Sequence, residues 1–170
     1  SAKRYWKSRE RNMDSRFDTA LTRVAEDTFA SMAFVLPLDE HEAAAVSRPA
    51  RVGARVEFTG PLDGTLALWV ARDMLPTLAA NMLGVCDARA VSFEQQEDAL
   101  KELLNVICGN LLPQIAGTRD VFHVRAPSIV PEGSPETALC RPDARAELWL
   151  ECGRADLALV VRHPSHAGVA

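Results

Sequence analysis

The stretch from Glu97 to Gly117, EDALKELLNVICGNLLPQIAG, constrains this chain more than any other. Leu100, Leu103, Leu104, Ile107 and Leu111 recur at helical spacing, so at about 100° per residue they gather into one apolar stripe that has to be buried. On the same wheel Asp98, Glu102, Asn105 and Gly109 form a second stripe, roughly 160 to 180° away, which must face outward. Glu102 and Asn105 sit one turn above each other and point the same way. Gly109 lies one turn further along. A glycine inside a helix costs about 1 kcal/mol relative to alanine, so its missing side chain is read as room for another body. The four outward positions predict a flat polar docking face. Ser92, with Gln95 three residues later, predicts a capping box at the start of this helix. Pro113 is expected to kink or end it beyond the Glu102–Asn105 pair.

The other elements follow from simpler patterns. Phe17, Leu21, Val24, Ala25, Thr28, Met32 and Val35 predict a first amphipathic helix over 17–36, capped by Asp14 or Ser15 and stopped by Pro37. Residues 39–51 are acidic, alanine-rich and broken by Pro49, which reads as a connector. Val52, Ala54, Val56 and Phe58 alternate, as do Leu66, Leu68 and Val70, and Gly60-Pro61-Leu62-Asp63-Gly64 joins them as a hairpin. A short helix over 73–83 is predicted, with Asp73 as cap, Pro76 in its first turn and Gly84 as its stop. Residues 121–125 read as a strand and 127–143 as a loop. A second hairpin pairs 146–152 with 157–162 through Gly153-Arg154. The order helix, two strands, two helices, three strands predicts an α+β domain, a mainly antiparallel sheet with long helices packed on one face.

Composition removes several classes of function. The chain has 170 residues, 48% of them apolar and 25% charged, which is enough for one globular core. Nothing approaches 18 consecutive apolar residues and no secretory pattern is visible, so no membrane association is expected and a cytoplasmic location is. Cys86, Cys108, Cys140 and Cys152 lack a C-x-x-C spacing and read as free thiols. His163 and His166, with Pro164 between them, make a poor metal site. The first twelve residues are strongly basic, but no basic stripe or aromatic set continues them, so nucleic-acid binding is not expected. Residues 1–16 are read as a disordered leader or an expression remnant, with Met13 just ahead of the first helix, and 163–170 as a tail.

The string Glu102-Leu103-Leu104-Asn105-Val106-Ile107-Cys108-Gly109-Asn110 resembles the E-x-x-N helix, continued by a Gly-Asn pair, of the CheC/CheX/FliY chemotaxis phosphatases. Its surroundings match as well: a helix before a two-stranded hairpin, a short helix before the long one, and Ala126-Pro127-Ser128-Ile129-Val130 where CheX proteins carry a proline-containing extended segment. The resemblance covers residues 17–162. In the first helix Glu26 is followed three positions on by Phe29 and not by an asparagine, so there is one E-x-x-N face, as in the CheX branch.

The resemblance implies a homodimer with the CheC/CheX-type fold. It also implies a phosphatase acting on the phospho-aspartate of a CheY-like response-regulator receiver domain. Asn105 would orient the attacking water and Glu102 would contact the receiver lysine, with Asp98 and Gly109 in the docking surface. This chain would bind no cofactor of its own, and Mg²⁺ would come with the receiver. The residue chemistry agrees, because neither Glu102 nor Asn105 is a nucleophile here and the two together make an incomplete active site. They can complete another protein's, since acyl-phosphate hydrolysis depends on placing a water in line with phosphorus. A docking module, or a flagellar-switch-like protein using the same face without hydrolysis, is the alternative. Small-molecule sensing is a third, weakened by the lack of any Gly-rich phosphate loop.

Overall fold

The computed structural model describes residues 2–38, 50–131 and 141–162, with side chains from Arg16 onward. The expected connector after Leu38, most of the proline-rich loop and the C-terminal tail lie outside the described residues. In chain order the elements are α1 (Ala2–Ala33), β1 (Arg51–Thr59), β2 (Asp63–Ala71), α2 (Leu75–Leu83), α3 (Phe93–Ala116), β3 (His123–Val124), β4 (Ser128–Val130), β5 (Ala144–Leu150) and β6 (Gly153–Arg162). The strands form one antiparallel sheet in the order β3-β1-β2-β6-β5, with β4 also paired to β1. The fold is the expected α+β class, with α1 and α3 laid on one face of the sheet.

Period-two alternation fixes that arrangement. Val52, Ala54, Val56 and Phe58 of β1 point to the helices, as do Leu66, Leu68 and Val70 of β2 and Leu157 and Leu159 of β6. They join Leu21, Val24 and Phe29 of α1 and the leucine stripe of α3 in one core. Thr28 is buried within α1, and its hydroxyl donates to the Val24 carbonyl at 2.7 Å. Among the described residues the opposite face of the sheet carries a small cluster of Ala67 and Ala158 beside Trp69 and Val160. Trp69 lies across Gly53, where a Cβ would fall 2.6 Å from the indole ring.

α2 forms an outer layer on α1 and α3. Its Ala79 and Ala80 pack with Ala99 of α3 and with Val91, small residues that let the helices approach closely. Gly84 ends α2 with φ 67°, and the Val85 N–H returns to the Ala80 carbonyl at 2.9 Å, a glycine-based stop of the kind expected.

Several expected boundaries move. The backbone of α1 is helical from Ala2, so Asp14 and Ser15 lie inside the helix and neither caps it, and the basic segment read as a leader continues the helix. α1 stops at Ala33, ahead of Pro37, because Phe34 turns left-handed with φ 53°. Asp73 is not a cap: the chain already turns at Arg72–Met74, so Asp73 has left the extended conformation that a cap needs. Pro113 does not end α3, which runs on to Ala116. The predicted strand at 121–125 shrinks to His123–Val124, and Ser128–Val130 adds a fourth strand after α3 where a loop was expected. The second hairpin turns at Glu151-Cys152, two residues earlier than expected.

Candidate functional site

The third helix presents the two opposed faces that its sequence demands. Leu100, Leu103, Leu104 and Ile107 have no exposed surface and Leu111 almost none, while Asp98, Glu102, Asn105 and Gly109 are all exposed. The helix start is fixed by the capping box: Ser92 Oγ accepts from Gln95 N at 3.2 Å, and Gln95 Oε1 accepts from Ser92 N at 2.9 Å. With its buried stripe locked in the core and its first turn capped, α3 holds the outward side chains on a rigid mount.

The four outward positions are not equivalent. Asp98 Oδ1 lies 2.6 Å from Lys101 Nζ, so its charge is partly committed within the helix. That hydrogen bond holds the lysine above its usual pKa. Glu102 and Asn105 have no side-chain hydrogen bond or ion pair among the described residues. They are exposed and available to another molecule. A Cβ on Gly109 would meet nothing within 4 Å, so packing inside the chain does not demand glycine there. Pro113, four residues later, has no N–H to give the Gly109 carbonyl, and its ring crowds that carbonyl. The Gly109 carbonyl is therefore left as a backbone acceptor beside the polar pair.

Cys108 sits on the buried side of the same turn, and burial pushes its thiol up to about 12, so it is no thiolate nucleophile. Among the described residues no group of three or more His, Cys, Asp or Glu side chains comes together to hold a metal ion. No described helix is long and apolar enough to cross a membrane. The arrangement offers a carboxylate and a carboxamide, one turn apart, at the surface.

One feature next to the pair was not anticipated. A groove of about 400 Å³ opens where α1, α2 and the start of α3 meet, lined by Met32, Met82, Leu83 and Ala99 with Gln95, Asp98 and Glu102. Past its α1 wall, Phe34 is 69% exposed in a left-handed conformation that costs a non-glycine residue roughly 1–2 kcal/mol. No sequence signal marked the groove, because Met32 belongs to the helical rhythm of α1 and the walls come from three separate helices.

A family model described as "Chemotaxis phosphatase CheX" matches residues 52–146, more than half of the chain. No curated protein sequence matches significantly. Among solved structures, the chemotaxis protein CheX from Desulfovibrio desulfuricans is similar at 18% identity, over 89% of this chain and 99% of that one, with a TM-score of 0.56. A chain of the CheX–CheY–BeF3–Mg complex from Borrelia burgdorferi is 13% identical over 85% and 96% of the two chains, with a TM-score of 0.59. FliY from Thermotoga maritima is 14% identical over 89% and 88%, with a TM-score of 0.55. At these identities the structural likeness speaks for the fold.

Proposed function

Because this chain belongs to the CheX family of chemotaxis phosphatases, we propose that it hydrolyses the phospho-aspartate of a CheY-like receiver domain. The observation that carries the proposal is the exposed Glu102–Asn105 pair, unpartnered among the described residues, on a helix whose other face is buried. In the reaction a water oxygen bonds to phosphorus as the bond from phosphorus to the aspartyl oxygen breaks, giving phosphate and a free carboxylate. The receiver brings the phospho-aspartate, the Mg²⁺ and a lysine, and this chain brings position. The Asn105 carboxamide has both a donor and an acceptor, so it can hold a water in one orientation. Glu102, one turn away, contacts the receiver lysine and sets the register of α3 against the receiver. Asp98 and Gly109 extend the same contact, with Gly109 letting the receiver backbone come close.

The same reading includes a homodimer, with pairing at the β3–β4 side of the sheet. That side is favoured because the β5 edge is largely closed: the Arg145 N–H donates to Asp18, the Trp149 carbonyl accepts from Leu38, and the Glu151 N–H donates to the Leu36 carbonyl. α3 packs on the face of the sheet over β1, β2 and β4, with Glu102 and Asn105 on its exposed side, so pairing in the plane of the sheet leaves the pair accessible.

Incubating the protein with phosphorylated receiver domains and following phosphate release tests the proposal. Accelerated release from at least one receiver supports it. Binding without acceleration turns the reading to a docking module that uses the same helix face.

A further inference from the structure

The E-x-x-N pair is too small a contact to choose one partner among many domains of the same fold, since polar side chains on an exposed helix recognise common features. The groove beside it has the shape to do so. Its walls are apolar, with two methionines, Met32 and Met82, facing Leu83 and Ala99, and its rim is Gln95, Asp98 and Glu102. Methionine side chains adapt to varied apolar shapes. Glu102 belongs to both the groove and the polar face, so anything that engages the pair also reaches the groove. The bordering turns of α3 are acidic, with Glu94, Glu97, Asp98 and Glu102 against the single Lys101, which Asp98 already engages.

The chain around the groove carries a second, independent sign. Asn81 Nδ2 donates to the Ala33 carbonyl at 2.7 Å and so ties the end of α1 to α2. Immediately after that tie Phe34 takes φ 53° and stays 69% exposed, and Leu36 and Leu83 are 53% and 50% exposed. An aromatic residue held in the left-handed region at the surface is a placement that burial among the described residues does not explain.

Resting on the phosphatase reading above, we infer that this groove and its Phe34 flank are the specificity surface for the receiver. They accept an apolar side chain of the receiver that is flanked by a lysine or arginine. The apolar side chain fills the space between Met32, Met82 and Leu83, and the basic group meets the acidic rim at Asp98, while Glu102 stays with the receiver lysine. Receivers that carry an acidic residue at that place are rejected, because like charges meet at the rim.

The test uses the full chain, a receiver domain loaded with beryllofluoride and Mg²⁺ for binding, and the phosphorylated receiver for turnover. Leu83→Ser removes a groove wall at a half-exposed site. Phe34→Asn removes the aromatic flank but keeps a residue that tolerates the left-handed region. Both variants are expected to melt within a few degrees of the parent and to bind the loaded receiver at least tenfold more weakly, with the loss in KM and not in kcat. Melting points lowered in proportion to the lost binding assign the two residues to the fold and overturn the inference. So does unchanged receiver affinity, and so does a change in mass by light scattering in its place, which assigns the groove to a second copy of this chain. If the parent protein binds and dephosphorylates no receiver, the phosphatase reading itself fails, which is a different result from variants that match an active parent.

Discussion

The Asp18 carboxylate of α1 accepts a hydrogen bond from the Arg145 backbone N–H of β5 at 2.7 Å, so a helix side chain occupies a position where a neighbouring strand would otherwise pair. Exposed sheet edges invite pairing with other chains, and a side chain bonded to the edge is one way to close them. Asp18→Ala leaves that N–H to water at an exposed edge and is expected to cost about 0.5–1.5 kcal/mol in denaturant melts. The parent protein is expected to show a dimer mass by light scattering at micromolar concentration, with Asn105 still reactive toward its receiver. A monomer mass, or an interface that covers Asn105, removes the dimer from the proposal.

Leu104 and Glu102 test the assignment of the two faces of α3. Leu104 is wholly buried, so Leu104→Ala is expected to destabilise by roughly 2–5 kcal/mol through lost contacts and the cavity left behind. Glu102 is exposed and has no partner among the described residues, so Glu102→Ala is expected to change stability by no more than about 0.5 kcal/mol. Equal losses in the two variants contradict the structure.

The parts of the fold that sequence made legible are those written in local periodicity. The leucine stripe, the polar stripe, the Ser92–Gln95 box, the first hairpin and the stop at Gly84 each depend on a few residues close in sequence, and each stands where expected. What was not legible depends on partners far along the chain. β4 is three residues, too short for alternation, and it exists because Ser128, Ile129 and Val130 pair with Arg55, Ala54 and Gly53. Asp73 has the chemistry of a cap, but the backbone had already turned, and that turn follows the Arg72 N–H bond to the Ala50 carbonyl at 2.8 Å. Pro113 is tolerated inside α3 because its place is exposed and Leu111 and Leu112 hold the helix to the core on the other side. The polar face was readable because it lies on one helix. The groove was not, because it takes three helices to build.

Gly109 separates helix propensity from docking. A Cβ there meets open space, so Gly109→Ala is expected to stabilise α3 by up to about 1 kcal/mol, less whatever the ring of Pro113 takes back. If the receiver backbone packs on this position, the same variant binds its receiver more weakly. A variant that is more stable and binds as well as the parent returns Gly109 to local helix geometry alone.

Cys108 and Cys86 are expected to differ in reactivity. Burial pushes the Cys108 thiol up to about 12, whereas alkylation needs thiolate and access, so near pH 8 iodoacetamide should leave Cys108 unmodified while the exposed Cys86 reacts. The sign for stability follows. The folded state holds the Cys108 proton more tightly than the unfolded chain, so this contribution is present below the unfolded thiol's pKa and is lost as pH rises from about 9 toward 12. Peptide mapping after alkylation, with and without denaturant, reads the difference, and labelling of Cys108 in the folded protein contradicts its burial.

Asn105 and Glu102 are expected to fail in different ways when changed. Asn105→Ala removes the group proposed to hold the attacking water, an interaction made chiefly at the transition state, so turnover should collapse while receiver binding stays nearly intact. Glu102→Ala removes a charge that meets the receiver in both ground and transition states, so binding should weaken as well. The two effects should not add, because the water is useful only when the receiver is held in register. Single-turnover phosphate release and binding titrations on both variants and on the double variant measure all three terms. If Asn105→Ala dephosphorylates its receiver as fast as the parent, the carboxamide has no catalytic role and the helix face is a docking surface.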